Sequence, residues 1–256
     1  MIMNIHDLIR AAVVFTDLDG TLLDHDTYGF KPALPALEFL KKNHIPLILN
    51  SSKTLVEIIR LRQDLDNSHP FIAENGSVVG IPKDYFSDIS LCEKGFSFES
   101  GVWISRIGGK RHEVLALLNR LRQDSGFVFE SFNDMSIERL CEATGLSEKS
   151  AQLAKERLST EPILWQGSQE QWERFIQELD NADFQWVQGG RFISISRPFD
   201  KKDGVELLLD LFRVNNDKKH FTIGLGDSPN DQAMLDMMDT AVVIRSKRSE
   251  QIVLTH

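Results

Sequence analysis

Residues 11–22 read AAVVFTDLDGTL, an apolar run that ends in two aspartates. The run is short and does not alternate with polar residues, which is typical of a strand buried on both faces of a parallel sheet. Asp17 therefore follows the carboxyl end of a central strand, and Asp19 points to the same side if the chain stays extended. Asp24 and Asp26 follow in the next loop. Because ligands of open α/β sheets bind at this edge, the sequence predicts an acidic site there.

Strand-like and helical segments alternate on both sides of the molecule's middle third. IPLILN and TLVEIIRLRQDL follow the first stretch, and a similar pattern returns in HFTIGLGD near the end. This alternation predicts an α/β fold, a doubly wound and mostly parallel sheet, formed by residues 1–82 and 197–256. Residues 83–196 mix strands and helices differently and are predicted to form an inserted α+β domain over the site.

Composition and charge narrow the class of protein. The 256 residues are 41% hydrophobic, and 29 basic against 38 acidic residues give a net charge of −9, which argues against nucleic-acid binding through a basic face. No apolar run reaches signal-peptide or membrane-span length. Cys92 and Cys141 lie far apart without metal-ligand spacing. We expect a cytoplasmic monomer or homodimer that acts on a small molecule, with no membrane partner.

The two aspartates after the first strand suit acid–base and nucleophilic chemistry. One carboxylate can attack an electrophile while the other donates and later accepts a proton, its pKa raised by its neighbour. A solvated acidic turn is the plain alternative. A calcium-binding EF-hand loop is excluded, because Leu22 stands where that loop needs glycine and Tyr28 where it needs glutamate.

Polar residues also follow the second predicted strand. Ser51, Ser52 and Lys53 precede a helix, so hydroxyls, backbone N–H groups and a cation could face an anion there. The alternative is a serine N-cap with a solvated lysine.

A further acidic group and two lysines lie near the end of the chain. Asp227 ends a strand, and Asn230 and Asp231 lie in the first turn of the next helix. Together with the first aspartates they form a hard oxygen site suited to Mg²⁺ and a substrate phosphate. Lys201 and Lys202 precede a helix and supply positive charge for an aspartate and a phosphate.

These motifs, in order, resemble those of the haloacid dehalogenase (HAD) superfamily. They are DLDGTL at residues 17–22, Ser51, Lys202 and GDSPND at residues 226–231. The insertion between the second and third motifs resembles the superfamily type with a C2 cap. Further segments, among them STEPILW and QGGRFISI inside the insertion, are similar to the mannosyl-3-phosphoglycerate phosphatase group.

The resemblance implies roles for the acidic residues. Asp17 would be the nucleophile that becomes an aspartyl phosphate, and Asp19 the general acid and base. Mg²⁺ would be bound by Asp17, the backbone carbonyl of Asp19, and Asp227. Asp231 and Asn230 would lie beside the metal or in its outer shell.

The resemblance also implies phosphate contacts. Ser51 would bond the phosphate, with Ser52 and Lys53 in the same loop. Lys202 would neutralise its charge; we choose it because Asp203 and the helical spacing follow it, and Lys201 is the alternative.

Within the insertion, four residues match family segments: Glu161, Gly189, Gly190 and Arg191. A carboxylate and an arginine suit sugar hydroxyls and a glycerate carboxylate. A charge pair at strand ends is the alternative.

The leading functional hypothesis is a Mg²⁺-dependent phosphatase acting on mannosyl-3-phosphoglycerate or a close glycosyl-3-phosphoglycerate, which would release a compatible solute and phosphate. A second hypothesis is another sugar-phosphate phosphatase or a phosphomannomutase-like phosphomutase on the same fold. A non-catalytic binding module is the third, and it predicts the loss of at least one motif residue. Asp17, Asp19, Lys202 and Asp227 are all present.

Overall fold

The computed structural model describes residues 9, 11–24, 27–189, 191–216, 220–245, 252 and 254. Its strands are β1 Ala12–Thr16, β2 Leu47–Asn50, β3 Phe71–Ala73, β4 Val78–Pro82, β5 Ser97–Glu99, β6 Val102–Arg106, β7 Phe129–Ser131, β8 Glu161–Trp165, β9 Gln185–Gly189, β10 Phe192–Ser196, β11 Phe221–Gly226 and β12 Thr240–Val243. Its α-helices are α1 Leu34–Lys42, α2 Leu55–Asp64, α3 Asp88–Glu93, α4 Arg111–Ser125, α5 Ile137–Thr144, α6 Glu148–Lys155, α7 Gln169–Asn181, α8 Lys201–Asn216 and α9 Gln232–Asp236. Within this part of the chain no helix is both long and apolar enough to cross a membrane.

The large sheet has the strand order β12-β11-β1-β2-β3-β4-β6-β5. Its first five strands are parallel, and the last three join in antiparallel fashion. The chain runs outward from β1 through β2 and β3 and returns to the other side of β1 as β11. This reversal opens a crevice at the carboxyl ends of β1 and β11. The prediction of a doubly wound, mostly parallel α/β sheet is confirmed.

Both faces of β1 are covered, as the uninterrupted apolar run predicts. Val13 and Phe15 pack on one face with residues of α8, and Ala12 and Val14 pack on the other face with residues of α2. All five residues of β1 are buried. Burial of each large side chain contributes roughly 1.5–3 kcal/mol, so the strand that leads to Asp17 is firmly held.

The small sheet has the antiparallel order β7-β8-β10-β9. One face packs against α4 and α7, where Ile163 and Ile195 meet Leu118 and Phe175. Helices α5 and α6 form a second cluster that reaches Leu164 and Phe192 on the other face. The part of that face that α5 and α6 leave uncovered is turned toward the crevice of the large sheet.

The division between the sheets falls later than expected. The prediction ends the first part of the core at residue 82, but β6 pairs along the whole of β4, and β5 pairs with β6. Without further strands, the antiparallel strand β4 would leave an unpaired edge. The next strands of the chain, β5 and β6, extend the large sheet at this edge. The large sheet therefore continues to Arg106, and residues 107–200, which carry the small sheet, are called the small-sheet unit below.

Candidate active site

Asp17 and Asp227 lie side by side at the crevice of the large sheet. Asp17 follows β1, and its backbone N–H donates to the carbonyl of Leu225 in β11 at 2.9 Å. Asp227 is the first residue after β11, and both aspartates are buried. Carboxylate oxygens of Asp17, Asp227 and Asp231 all lie within 4.8 Å of one another. Three distant segments thus form the acidic cluster that the sequence predicts.

Asp231 stabilises this cluster from the interior of the protein. It ends the short 3₁₀ helix Pro229–Asp231 and is fully buried. Its Oδ2 accepts the backbone N–H groups of Asp227 at 3.1 Å and of Ser228 at 3.2 Å. Its Oδ1 accepts a hydrogen bond from Lys201. With both oxygens bonded inside the protein, Asp231 is better suited to position its neighbours than to ligate a metal directly.

Lys201, the alternative to Lys202, is the lysine inside the site. Its Nζ lies 2.8 Å from Oδ1 of Asp17 and also bonds Asp231. Burial alone would lower the pKa of Lys201, but the two carboxylates outweigh burial and raise the pKa above its usual value. The ammonium is therefore charged, contacts two of the three carboxylates and compensates one of their negative charges.

The choice of Lys202 for this position is wrong in the structure. Helix α8 begins at Lys201, and adjacent residues of a helix point about 100° apart, so one lysine alone can enter the site. The Asp203 side chain accepts the backbone N–H of Asp200 at 2.7 Å. This contact of a capping box marks Asp200 as the residue before the helix and Lys201 as its first residue, a signal that the sequence already contained.

The protonation of Asp17 depends on burial and on its charged neighbours. Burial, together with the charge of Asp231 and against the opposing effect of Lys201, raises the pKa of the Asp17 carboxyl to about 6. In the metal-free protein this carboxyl therefore takes up a proton as the pH falls through about 6.

Asp19 is paired with Lys53 at the more open side of the site. Lys53 Nζ lies 2.9 Å from Asp19 Oδ2, while Asp19 Oδ1 is buried without a hydrogen-bond partner among the described residues. Burial lowers the pKa of Lys53, but the neighbouring Asp19 carboxylate more than offsets this and raises it. The Lys53 ammonium also lies 5.2 Å from the ring centre of Tyr28. The lysine is thus held at the site rather than solvated.

The other residues of the loop after β2 have separate positions. Ser51 is buried and its hydroxyl accepts the N–H of Lys53 at 3.3 Å, whereas Ser52 is exposed. The N-cap of α2 is Thr54, which forms a capping box with Glu57. The alternative of a serine N-cap with a solvated lysine is therefore wrong, and Ser51 stays a candidate phosphate contact.

Gly20 is required by the close approach of β1 and β11. Its φ of +89° lies in the left-handed region, and a Cβ at this position would lie 2.4 Å from Oδ2 of Asp227. Only glycine admits both conditions. Farther along the loop, Asp24 Oδ1 accepts the Thr27 N–H at 2.8 Å and its hydroxyl at 2.7 Å. Asp24 thus orders the loop, and Asp26 lies outside the described residues.

Glu161 does not reach this site. It is fully buried at the start of β8, where it accepts hydrogen bonds from Arg111 Nε at 2.6 Å and from the Asn133 N–H at 2.7 Å. This favours the alternative of a structural charge pair, with Arg111 as the partner. Arg191 is exposed beside the β9–β10 turn and Gly189 ends β9, while Gly190 lies outside the described residues.

A cleft joins the small sheet to this site. It has a volume of about 390 Å³ and combines core residues with side chains of β9. Its lining includes Asn75, Lys201 and Asn230 from the core side, and Gln185 and Val187 from the small sheet. Asn230 therefore lies at the rim of the site rather than among the buried carboxylates. Amide groups on both walls offer donors and acceptors for a polar substrate.

Comparison with known families agrees with this architecture. The model of the haloacid dehalogenase-like hydrolases matches residues 14–252, which include every strand of both sheets except the first two residues of β1. The chain belongs to the haloacid dehalogenase-like hydrolase family. The resemblance to this superfamily is confirmed.

Two curated relatives narrow the family of this hydrolase to one group of phosphatases. Both are named glucosyl-3-phosphoglycerate/mannosyl-3-phosphoglycerate phosphatase. The protein from Methanococcoides burtonii is 36% identical over 250 residues, 95% of this chain and 89% of the relative. The protein from Persephonella marina is 36% identical over 237 residues, 91% of this chain and 84% of the relative. The expected kinship with the mannosyl-3-phosphoglycerate phosphatase group is confirmed.

Solved structures share the fold of this hydrolase. A HAD phosphatase from Bacteroides thetaiotaomicron superposes with a TM-score of 0.64 at 15% identity, covering 94% of this chain and 87% of the other. A sugar phosphatase of HAD subclass IIB gives a TM-score of 0.58 at 14% identity, covering 93% and 88%. These likenesses extend over the small-sheet unit, so the arrangement of core and insertion is common to them.

Proposed function

We propose that this hydrolase is a Mg²⁺-dependent phosphatase that converts mannosyl-3-phosphoglycerate, or a close glycosyl-3-phosphoglycerate, to the glycosylglycerate and phosphate. The observation that carries the proposal is the 36% identity to relatives of that name along 95% of the chain, which includes the small-sheet unit as well as the catalytic core. The buried group of Asp17, Lys201, Asp227 and Asp231 supplies the chemistry.

In the proposed reaction, a carboxylate oxygen of Asp17 attacks the substrate's phosphorus while the bond from phosphorus to the glycerate oxygen breaks. Asp19 donates a proton to the departing oxygen. It then accepts a proton from the water that attacks phosphorus in the aspartyl phosphate, which releases inorganic phosphate and restores Asp17. Lys201 holds the nucleophile in position and offsets negative charge beside it.

Lys53 can serve both Asp19 and the substrate. In the substrate-free protein its ammonium bonds the Asp19 carboxylate at 2.9 Å. A phosphate dianion arriving between the loop after β2 and Asp17 attracts the same ammonium, so Lys53 can turn from Asp19 to the phosphate when substrate binds.

The donor set fits a magnesium ion. Carboxylate oxygens of Asp17 and Asp227, close together and buried, are hard ligands, and the backbone carbonyl of Asp19 follows in the same loop. When bound, Mg²⁺ supplies positive charge to the phosphoryl group during transfer. Asp231 bonds Lys201, which in turn bonds Asp17. Asp231 also accepts a hydrogen bond from the backbone N–H of Asp227.

The cytoplasmic location forms part of the same proposal. Cys92 and Cys141 are both free thiols, which suits a reducing compartment.

The test is release of inorganic phosphate from mannosyl-3-phosphoglycerate and glucosyl-3-phosphoglycerate in the presence of Mg²⁺. A panel with a hexose 1-phosphate and 3-phosphoglycerate defines the preference. Asp17→Asn is the inactive control, and Asp24→Asn, in the same loop, is the matched active one. Phosphate release no greater than that of Asp17→Asn would refute the proposal. Conversion of the hexose 1-phosphate to a 6-phosphate without phosphate release would support the phosphomutase instead.

A further inference from the structure

Glu74 is a fully buried carboxylate that the reaction described above does not use. It follows β3, in the short 3₁₀ turn Glu74–Gly76, where three consecutive residues have positive φ angles of 50°, 60° and 106°. Two of the three are not glycine, and such backbone persists only where its surroundings determine it. The surroundings of this turn therefore indicate what it is for.

The Glu74 side chain binds a segment of the small-sheet unit, residues 157–160, named the docking segment here. Its Oε1 accepts the N–H of Leu158 at 2.6 Å. Its Oε2 accepts the N–H groups of Ser159 at 3.1 Å and of Thr160 at 2.9 Å, and the Thr160 hydroxyl at 2.8 Å. The guanidinium of Arg157 lies 3.8 Å away. The carboxylate is thus enclosed by four donors that belong to the other structural unit.

The backbone of the same turn supports the phosphate-binding side of the site. The N–H of Glu74 donates to the carbonyl of Lys53, and the N–H of Asn75 donates to the carbonyl of Ser51, both at 2.9 Å. Lys53 in turn holds Asp19. The turn thus fixes the loop that carries one candidate phosphate contact and the partner of the acid–base residue.

The turn also lies against the start of helix α8. A Cβ on Gly76 would lie 2.6 Å from the carbonyl oxygen of Asp200 and 2.8 Å from the Cα of Lys201. A glycine at this point lets the turn and the helix start touch. The position of Lys201 therefore depends on the position of the same turn.

The docking segment has a second, direct connection to the loop after β2. Arg157 donates from its Nε to the Thr160 hydroxyl at 2.7 Å and from an Nη to the carbonyl of Ser52 at 3.1 Å. The Thr54 hydroxyl donates to the carbonyl of Leu153 at 3.0 Å. The contact between the two units thus combines the polar cluster around Glu74 and Arg157 with a separate hydrogen bond at Thr54.

We infer that Glu74 is a positioning residue: it docks residues 157–160 on the core and thereby sets the place of the Ser51–Lys53 loop and of Lys201 in the reaction. Placement of the small-sheet unit and assembly of the phosphate site are then one event. The inference rests on the proposed function only where a glycosyl-phosphoglycerate is used as substrate.

The test variant is Glu74→Gln, which keeps the shape but sets an amide NH₂ among N–H donors. Glu130→Gln is the matched control, because Glu130 pairs with Arg139 inside the small-sheet unit alone. Hydrogen–deuterium exchange of the two variants and the wild type reports on the network without any substrate. We expect Glu74→Gln to speed exchange both at residues 157–160 and at residues 51–54, and Glu130→Gln to change neither. Faster exchange confined to residues 157–160 would overturn the inference.

Kinetics separate positioning from general loss of structure. For Glu74→Gln we expect kcat/KM with the glycosyl-phosphoglycerate to fall by up to about 100-fold, as misplacement of reacting groups produces. Hydrolysis of p-nitrophenyl phosphate should fall as well, because the Ser51–Lys53 loop and Lys201 serve any phosphate ester, whereas Glu130→Gln should keep wild-type rates on both substrates. A wild-type rate of Glu74→Gln on p-nitrophenyl phosphate would contradict the inference.

Thr160→Val provides a second variant should Glu74→Gln not fold. It removes one hydroxyl contact to Glu74 and one to Arg157 at nearly constant volume, and a smaller change of the same pattern is expected. No change in exchange at residues 51–54 would again overturn the inference. Failure of the wild type to hydrolyse any glycosyl-phosphoglycerate would instead refute the proposed function and leave the exchange result standing.

Discussion

Replacement of Lys201 by methionine should abolish most activity while the same change at Lys202 should not. The Lys201 side chain is 3% exposed and bonds both Asp17 and Asp231. Methionine keeps the apolar length but leaves two buried carboxylates without their cation, and breaking a buried pair at one partner costs about 3–5 kcal/mol. If about 3–4 kcal/mol of this applies to the transition state, kcat/KM falls roughly 10²- to 10³-fold.

The assay is steady-state phosphate release at saturating Mg²⁺, with p-nitrophenyl phosphate as a substrate that does not depend on the identity of the sugar. Lys202→Met serves as the matched control, since Lys202 lies one helical position away and its backbone N–H meets Asp200. Circular dichroism of both variants checks that they are folded. If Lys201→Met keeps a tenth or more of wild-type kcat/KM, or if Lys202→Met loses as much, the assignment of the lysine is refuted.

Three further predictions concern the acidic loop and the metal. Asp17→Asn should reduce phosphate release to background, whereas Asp24→Asn, which alters a loop contact to Thr27, should keep most of the activity; equal losses would contradict the division of roles. Gly20→Ala should weaken Mg²⁺ binding measured by titration calorimetry, because the alanine Cβ would displace the Asp227 carboxylate. Unchanged affinity would show that the loop adjusts freely. Mg²⁺ binding to the metal-free protein should weaken as the pH falls through about 6, since the raised pKa of Asp17 lets a proton compete with the metal. An affinity that is constant across this pH range would argue against Asp17 as a ligand.

The sequence was sufficient for the parts of the fold that depend on local patterns. The apolar runs before Asp17 and Asp227 predict two buried strands, and parallel topology then brings their ends together. Residues 83–196 do mix strands and helices, but β5 lies in the large sheet because it pairs with β6. The local pattern of residues shows that a strand forms. Which sheet the strand joins is decided by the sheet edge that is free to pair with it.

The lysine and the docking contact illustrate two different reasons for failure. Lys201 and Lys202 are chemically identical, and only the first residue of α8 decides which one enters the site. Glu74 meets partners that lie more than 80 positions later in the chain, and neither end of the contact has a local signature. The interpretation of Glu161 as a sugar contact fails similarly, since Arg111 occupies its carboxylate from a distant helix.

The ammonium of Lys201 also determines which cations suit the acidic cluster. The ionised carboxylates of Asp17, Asp227 and Asp231 together with this ammonium carry two net negative charges. A divalent ion brings the buried group to electroneutrality, whereas a potassium or sodium ion leaves one charge uncompensated in a medium where Coulomb energies are large. By charge balance alone, the acidic cluster therefore favours a divalent ion. Loss of the lysine would shift that selection toward more highly charged ions.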